Sequence, residues 1–212
     1  MGGGLVEGAL RHGAGEPGLK LIETLRVGSS AARLALHRAR MARGASAFGW
    51  AFDRAGFDRA VAVDDANGLR LRVTLDAAGR FEAAQAALPE ARGEWRLGLA
   101  AARLWSGDPW LTVKSTRRGV YDAARAALPD GIDEVIFLNE RGEVCDGTIT
   151  TVFFDRGQGM RTPPLTSGLL PGVLRAEMAC PEEILMADDL PRVRLWVGNA
   201  LRGLSPAVWV GP

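Results

Sequence analysis

Two hydrophobic periodicities, one helical and one extended, occur in the same chain and constrain its fold more than any other feature. Residues 31–48 repeat their stripe every three or four positions, which predicts a helix with one buried face and one basic face; the stripe is Leu34, His37, Met41, Ala45 and Phe48. Residues 68–75 alternate strictly between apolar and polar side chains, which predicts a strand. Further strands are predicted at 19–27, 94–101, 134–139, 148–154 and 193–197. The sequence therefore predicts a mixed fold of the α/β (α+β) class.

The domain organisation follows from length and from glycine and proline. A chain of 212 residues suits one large domain or two lobes of about a hundred residues each. The pattern breaks at Ser106-Gly-Asp-Pro109, which is typical of a linker. We therefore predict an N-terminal lobe over residues 1–105, an interdomain linker over 106–110 and a C-terminal lobe over 111–212. The glycine-rich first 20 residues are expected to form a loose lead-in.

Composition argues against several classes of function. The formal net charge is +1 and arginines are scattered among nearly as many carboxylates, so no nucleic-acid partner is expected. No apolar run approaches the roughly 20 residues that a membrane helix needs. Two distant cysteines, Cys145 and Cys180, in a chain without a signal peptide favour reduced thiols in the cytoplasm. These cysteines and the two histidines lack ligand spacing, so no metal site is expected.

Lysine is rare in this chain: of 26 basic residues only Lys20 and Lys114 are lysines. A guanidinium cannot lose its proton in a protein, whereas a partly buried amine can become a nucleophile and form an imine. Lys114 lies where an apolar, β-branched run gives way to polar residues, which suits a Schiff-base lysine. The alternative is a surface lysine at the end of a strand.

Three further groups in the second half of the chain extend this hypothesis. Asp146 lies in an apolar, glycine-flanked segment and could face a protonated ring nitrogen, although it could also cap its own turn. The segment Pro171-Gly-Val-Leu-Arg175 opens a predicted helix, where backbone N–H groups can bind an anion or simply begin the helix. Gly198-Asn199 offers another close backbone approach. An aldehyde, a pyridinium and a phosphate together describe pyridoxal 5′-phosphate (PLP).

Seven sequence blocks stand in order along nearly the whole chain, from about Leu19 to Ala207. They are residues 21–26 (LIETLR), 37–41 (HRARM), 114–118 (KSTRR, followed by Tyr121-Asp122), 139–147 (NERGEVCDG), 162–164 (TPP), 168–175 (GLLPGVLR) and 198–203 (GNALRG). In this order they resemble the class IV aminotransferases, the fold-type IV PLP enzymes. The resemblance implies a two-lobed fold-type IV fold, with a smaller N-terminal α/β lobe and a C-terminal β-rich lobe flanked by helices. It also implies an active site near a subunit interface, and hence a homodimer.

The resemblance assigns roles to single residues. Lys114 would form the imine with the cofactor and move the proton at the substrate carbon. The cofactor phosphate would be held by Arg40, by the backbone of Val173 and Leu174, and by Asn199. Asp146 matches a position where most relatives carry glutamate, which is one methylene longer. Thr150-Thr151 stands where relatives carry a Ser-Asn pair.

Details of these blocks favour the lyase branch of the family. Lys-x-Thr-x-Arg-Arg, the LIETLR opening and the short length resemble the 4-amino-4-deoxychorismate lyases, which release pyruvate and give 4-aminobenzoate for folate synthesis. Arg26 and Arg118 are candidates for binding substrate carboxylates, since a planar fork matches that group; surface ion pairs are the alternative. A branched-chain or D-amino-acid transaminase of the same fold and a degenerate, non-catalytic family member remain the other hypotheses.

Overall fold

The structure is a computed structural model that describes residues 3–63 and 68–211, with side chains from residue 8 onward. The chain divides into two units, which are described separately. The first unit comprises Met1–Glu90 and Val113–Arg117, and the second comprises Ala91–Thr112 and Arg118–Pro212. The predicted division has its bounds at 1–105, 106–110 and 111–212. Residues 1–2 and 64–67 of the predicted N-terminal lobe and residue 212 of the predicted C-terminal lobe lie outside the described residues.

The observed division has different bounds from the predicted one, for a reason that lies in strand pairing. Residues 95–104 form a strand that pairs in parallel with two strands of the second unit. The predicted linker 106–110 also lies within the second unit. Lys114 belongs to the first unit, because Ile22 N donates to the Lys114 carbonyl oxygen at 2.9 Å and Ser115 forms a β-bridge with Leu21.

The first unit combines three helices with a small antiparallel sheet. Its helices are α1 (Gly3–Gly13), α2 (Ala31–Phe48) and α3 (Arg54–Val61), and its strands are β1 (Leu21–Arg26), β2 (Leu69–Leu75) and β3 (Phe81–Ala87), in sheet order β1-β2-β3. The expectation of a loose lead-in over the first 20 residues was wrong for residues 3–13, which form α1. Leu10 and Ala14 are buried and α1 packs against α2, so tertiary packing outweighs the cost of glycine in a helix.

Helix α2 has the bounds predicted from its periodicity. It begins after Ser30, whose hydroxyl accepts a hydrogen bond from Arg33 N at 3.2 Å, and ends at Gly49, which is in the left-handed conformation with φ 73°. The predicted stripe is buried except for Leu34, which is half-buried. Gly44 is needed where α2 crosses β1, because a Cβ there would lie 2.9 Å from Leu21 Cδ2.

In its described residues, the second unit is a closed barrel of six strands with two α-helices. The strands are β4 (Trp95–Leu104), β5 (Glu134–Asn139), β6 (Val144–Gly147), β7 (Thr151–Asp155), β8 (Arg194–Asn199) and β9 (Gly203–Trp209), and the helices are α4 (Gly119–Ala126) and α5 (Val173–Met178). Strand β4 runs parallel to both β5 and β9, whereas the other neighbours are antiparallel. The mixed α/β class predicted from the sequence is confirmed.

Apolar side chains form two clusters in the second unit. The larger one is contributed by strands β4 to β9 and by two leucines outside the strands: Trp95, Leu97, Ile136, Leu138, Val144, Val152, Phe154, Leu185, Leu190, Leu195, Val197 and Ala207. The smaller one contains Phe137, Cys145 and Leu169, with Tyr121 of α4 packed against it. Alternate residues of β5 and β6 thus enter different clusters, as the period of a strand requires.

Two absences concern only the described part of the chain. Within residues 3–63 and 68–211, no helix combines the length and the apolar character needed to cross a membrane. The same residues contain no group of three or more histidine, cysteine, aspartate or glutamate side chains suited to a metal ion.

Candidate functional site

Three adjacent strands of the second unit bring Asp146, Thr151 and Gly198 side by side. Asp146 of β6 is the register partner of Thr151 of β7, and Thr151 is in turn the partner of Gly198 of β8. The side chains of Asp146 and Thr151 are buried. The barrel therefore carries a buried carboxylate and a buried hydroxyl at the same level, on neighbouring strands. The next strand has a glycine at this level, and hence no side chain.

The segment 168–172 contacts both β6 and β7. Leu170 N donates to Asp146 Oδ2 at 2.9 Å. A Cβ at Gly172 would lie 2.8 Å from Thr151 Oγ1, so the backbone approaches β7 more closely than a side chain allows. Gly168 has φ 86°, and its Cβ would lie 2.6 Å from Ser106 Cα. Gly168 is therefore required by both close approach and backbone conformation, whereas Gly172 is required by close approach alone.

Helix α5 follows this segment directly and covers Gly198. A Cβ at Gly198 would lie 2.6 Å from Leu174 Cδ2. The first hydrogen bond of the helix joins Ala176 N to Gly172 O at 3.0 Å, so the N–H groups of Val173 and Leu174 precede it. The helix ends at Met178. The N–H groups of Val173 and Leu174, for which the family resemblance implies a contact with the cofactor phosphate, thus lie at the start of this helix.

Asn199 joins two turns of the same region. Its Oδ1 accepts hydrogen bonds from Leu201 N and Arg202 N, each at 3.0 Å. Its Nδ2 donates to the Ile149 carbonyl oxygen at 3.0 Å. The predicted contact with an anion would therefore use the second hydrogen of the same amide, while the first fixes the side chain in place.

A buried glutamate that the sequence analysis did not single out lies beneath the turn between β6 and β7. The carboxylate of Glu134 accepts hydrogen bonds from Thr148 N and Ile149 N and from the hydroxyls of Thr148 and Thr150. Gly147 contacts it so closely that a Cβ would lie 2.8 Å from Glu134 Cδ. The available signal was an acidic residue opening an otherwise apolar strand.

Arg118 lies beside the same turn. Its Nη2 donates to the Thr148 carbonyl oxygen at 3.0 Å, and its Nε donates to Asp122 at 2.6 Å. The guanidinium also lies over the ring of Tyr121, 5.8 Å from the centroid. Burial, together with the negative charge of Asp146, raises the pKa of Tyr121 above its ordinary value, so this phenol stays protonated.

Cys145 precedes Asp146 but is not a nucleophile at neutral pH. Burial and the neighbouring charge of Asp146 raise the pKa of its thiol to about 12. A thiol in that state is not a reactive thiolate. Of the two ionisable side chains of β6, Cys145 and Asp146, the carboxylate of Asp146 is therefore the candidate for chemistry.

The first unit contains a separate buried polar cluster. Arg40 Nε donates to Glu23 Oε1 at 2.8 Å, Arg40 Nη2 donates to Glu23 Oε2 at 2.5 Å, and His37 Nδ1 lies 2.6 Å from Oε2. Burial of Glu23 raises its pKa, but the charge and hydrogen bond of Arg40 and the contact with His37 outweigh this and lower the pKa to about 2. His37 Nε2 is buried without a hydrogen-bond partner among the described residues.

The remaining predicted residues of the first unit lie on neighbouring elements. Lys114 is half-buried and follows a 3₁₀ helix, Pro109–Thr112, rather than a strand. Lys20, by contrast, forms an ion pair with Glu82 at 2.5 Å. Arg26 is exposed at the end of β1. The structure thus gathers Asp146, the α5 amides and Asn199 in one unit, while Arg40, Lys114 and Arg26 belong to the other.

Comparisons with known proteins agree with one another. A family model described as Amino-transferase class IV matches residues 20–209. Among solved structures, a candidate amino-acid aminotransferase from Mesorhizobium loti is 41% identical and covers 91% of this chain and 100% of its own, with a TM-score of 0.85. A candidate 4-amino-4-deoxychorismate lyase from Legionella pneumophila is 20% identical, with coverages of 90% and 82% and a TM-score of 0.77.

A third similar structure contains a cofactor. It is a hypothetical aminotransferase from Mycobacterium tuberculosis in its PLP-bound form, 22% identical, with coverages of 94% and 84% and a TM-score of 0.76. At the identities of the Legionella and Mycobacterium proteins, the likeness shows the fold alone. No curated protein matches the sequence.

Proposed function

The chain belongs to the amino-transferase class IV family of PLP-dependent enzymes, and from this premise we propose that it is a lyase acting on 4-amino-4-deoxychorismate. The reaction would release pyruvate and give 4-aminobenzoate. The observation that most supports a PLP site is the position of Asp146, Thr151 and Gly198 side by side on three adjacent strands, against the 168–172 segment. It combines a buried acid with closely approaching backbone, as a phosphorylated pyridine requires.

The residues present fit PLP by their chemistry. A carboxylate with very little exposure can hold a proton on a ring nitrogen, and Asp146 is such a group. Positions 172 and 198 admit no side chain, and the first N–H groups of α5, which precede the first hydrogen bond of the helix, could bind an anion. Lys114 supplies a half-buried primary amine. These observations support Asp146, Val173, Leu174 and Lys114 as residues that would hold the cofactor. Arg40 and Asn199 are assigned to its phosphate by the family resemblance.

When bound, PLP supplies an electron-accepting ring that stabilises negative charge on the carbon next to the substrate nitrogen. Lys114 would hold the aldehyde of PLP and, as a free amine, would take the proton from the ring carbon that carries the substrate's amino group. The electron pair of that C–H bond would then complete the aromatic ring as the C–O bond to the enolpyruvyl group breaks. The departing enolpyruvate takes up a proton and becomes pyruvate, so atoms and charge balance without water.

Substrate binding is assigned to two arginines. Arg118 is fixed by Thr148 and Asp122, which orients its guanidinium for a carboxylate. Arg26 is exposed, and its proposed role depends on the family resemblance. Thr151 keeps a hydroxyl where relatives carry an amide, and its contact with Gly172 supports a role in shaping the 168–172 segment.

A transaminase is the second candidate, favoured by the 41% identical Mesorhizobium structure described as an amino-acid aminotransferase. The two reactions differ in their need for an acceptor. The purified protein should release pyruvate from 4-amino-4-deoxychorismate without any added 2-oxo acid. Strict dependence on 2-oxoglutarate, tested with branched-chain and D-amino acids, would identify the transaminase instead. Protein that is colourless and unaffected by borohydride would identify a degenerate member.

We also propose a cytoplasmic homodimer. Both cysteines are free thiols, which suits a reducing compartment. Large apolar side chains are exposed on the second unit, among them Trp105 and Ile184, and such side chains are common at subunit interfaces. Light scattering after gel filtration should give twice the mass of one chain, and a monomer would contradict the proposal.

A further inference from the structure

Glu134 is the acidic residue with the most extensive hydrogen bonding near the proposed cofactor site, and the functions above give it no role. Its side chain has no solvent exposure. Oε1 accepts from Thr148 N at 3.0 Å and from the Thr148 hydroxyl at 2.5 Å. Oε2 accepts from Ile149 N at 3.2 Å and from the Thr150 hydroxyl at 3.0 Å. Both oxygens thus accept hydrogen bonds from the segment 147–150, here called the β6–β7 turn.

Charge adds to this arrangement. Arg125 Nη1 lies 3.4 Å from Glu134 Oε1 and donates to the Asp133 carbonyl oxygen at 2.9 Å. A buried carboxylate is stable only where donors replace the water it has lost, and here backbone, hydroxyl and guanidinium donors all do so. An uncharged side chain of the same size would lack a second acceptor oxygen. The turn therefore depends on a carboxylate at this position.

The β6–β7 turn is connected to several groups of the proposed site. It begins directly after Asp146 and ends directly before Thr151. Its Ile149 carbonyl oxygen accepts from Asn199, and its Thr148 carbonyl oxygen accepts from Arg118. A displacement of the turn would therefore move an acid, a hydroxyl, an amide and a guanidinium together.

We infer that Glu134 is a positioning residue of the cofactor site: it holds the β6–β7 turn so that Asp146, Thr151 and Asn199 keep their places. The inference rests on the proposed function, because it concerns the residues assigned to PLP. A purely structural glutamate would stabilise the fold without affecting PLP affinity more than other buried carboxylates do. The difference between these two roles can be measured.

The chain offers a matched control at the other end of β7. Asp155 is also buried, and its Oδ1 accepts hydrogen bonds from Gly157 N, Gln158 N and Gly159 N at 2.6, 2.9 and 3.0 Å. It therefore fixes a turn in the same way as Glu134, at the opposite end of β7 from the β6–β7 turn. That turn carries none of the residues assigned to the cofactor.

The experiment titrates PLP into the full chain after cofactor removal, for the wild type and for Glu134→Gln, Thr148→Val and Asp155→Asn. Glu134→Gln should weaken PLP affinity about tenfold or more, the usual loss on removing a partner of an active-site ligand. Thr148→Val removes one hydroxyl bond and should weaken affinity about threefold. Asp155→Asn should lower thermal stability but keep affinity within about twofold of the wild type.

Hydrogen exchange provides a readout that needs no cofactor. In the chain without PLP, Glu134→Gln should accelerate exchange in peptides covering residues 146–151, whereas Asp155→Asn should accelerate it in peptides covering 156–160. Unchanged PLP affinity in both Glu134→Gln and Thr148→Val, or an equal loss in Asp155→Asn, would overturn the inference. If Glu134→Gln does not fold, Thr148→Val and Asp155→Asn decide. A wild type that binds no PLP would instead overturn the proposed function.

Discussion

Glu23 and Arg40 form a two-point ion pair in the interior of the first unit, with Nε 2.8 Å from Oε1 and Nη2 2.5 Å from Oε2. Both side chains are buried, and His37 contacts the same carboxylate. A pair with this geometry holds the guanidinium in one orientation. The Arg40 guanidinium is therefore held in one place by its hydrogen bonds to Glu23, unlike the side chain of a mobile surface arginine.

Removing the negative partner should destabilise the protein. Glu23→Gln leaves the guanidinium buried without its counter-charge, and breaking a buried pair in this way costs about 3 kcal/mol of unfolding free energy. Urea denaturation at neutral pH measures the loss. The control is Glu82→Gln, which breaks the more exposed pair with Lys20 and should cost less than about 1 kcal/mol. Equal losses in the two variants would contradict the prediction.

The same pair predicts a pH dependence with a defined sign. The pKa of Glu23 is about 2 in the folded protein, against an ordinary value of 4.5, so folding favours the ionised form. This contribution is complete above the ordinary pKa and is lost as the pH falls toward 2. The stability difference between the wild type and Glu23→Gln should therefore shrink in acid. A difference that grows as the pH falls would show that the carboxylate is not the stabilising form.

Lys114 is expected to be indispensable for catalysis but not for folding. Lys114→Ala removes the amine that would bind PLP and move the proton, so turnover and the absorbance of lysine-bound cofactor should both disappear. Circular dichroism and thermal unfolding should remain close to the wild type. Lys20→Ala, which removes the other lysine, should leave activity unchanged. Retained turnover in Lys114→Ala would rule out the assigned mechanism.

Asp146 should affect the rate more than cofactor retention. Asp146→Asn keeps an oxygen that can accept from Leu170 N but removes the negative charge that would keep a ring nitrogen protonated. We expect turnover to fall about a hundredfold or more while PLP occupancy changes little. Single-turnover rates and cofactor absorbance measure the two quantities. Equal fractional losses in both would argue against a role at the ring nitrogen.

Gly172 should tolerate no side chain, although its φ of −64° is ordinary. In Gly172→Ala the new Cβ would lie 2.8 Å from Thr151 Oγ1, so either β7 or the 168–172 segment must shift. PLP affinity should fall about tenfold. The control is Gly119→Ala, because a Cβ at Gly119 meets no atom within 4 Å. A Gly172→Ala protein with wild-type affinity would show that this close approach is irrelevant to the cofactor.

Local elements were predictable from the sequence because their signal is local. The helix over 31–48 and the strand over 134–139 have the predicted bounds. The assignment of Lys114 to the first unit was not predictable, because it depends on a hydrogen bond to Ile22, far away in sequence. Helix α1 was missed for a similar reason, since its glycines oppose a helix that packing against α2 stabilises.

The candidate site shows the same limit. Asp146, Val173, Leu174 and Asn199 were proposed from the sequence because each stands in a block that resembles the family, and the structure places all four in the second unit. The roles of Glu134 and of the Asn199 amide depend on which backbone groups lie within reach, and no periodicity encodes that. The sequence shows Glu23 as an acid among apolar residues. Its partners, His37 and Arg40, are known only from the structure, where both lie on the same face of α2.

Strand β9 has a consequence for how the chain is made. It fills the gap between β8 and β4, pairing antiparallel with the first and parallel with the second. Until residues 203–209 leave the ribosome, two neighbouring strands carry unsatisfied backbone groups along their open sides. Nascent chains of this protein thus pass through a stage that is prone to intermolecular strand pairing, and it ends only when the last strand is inserted.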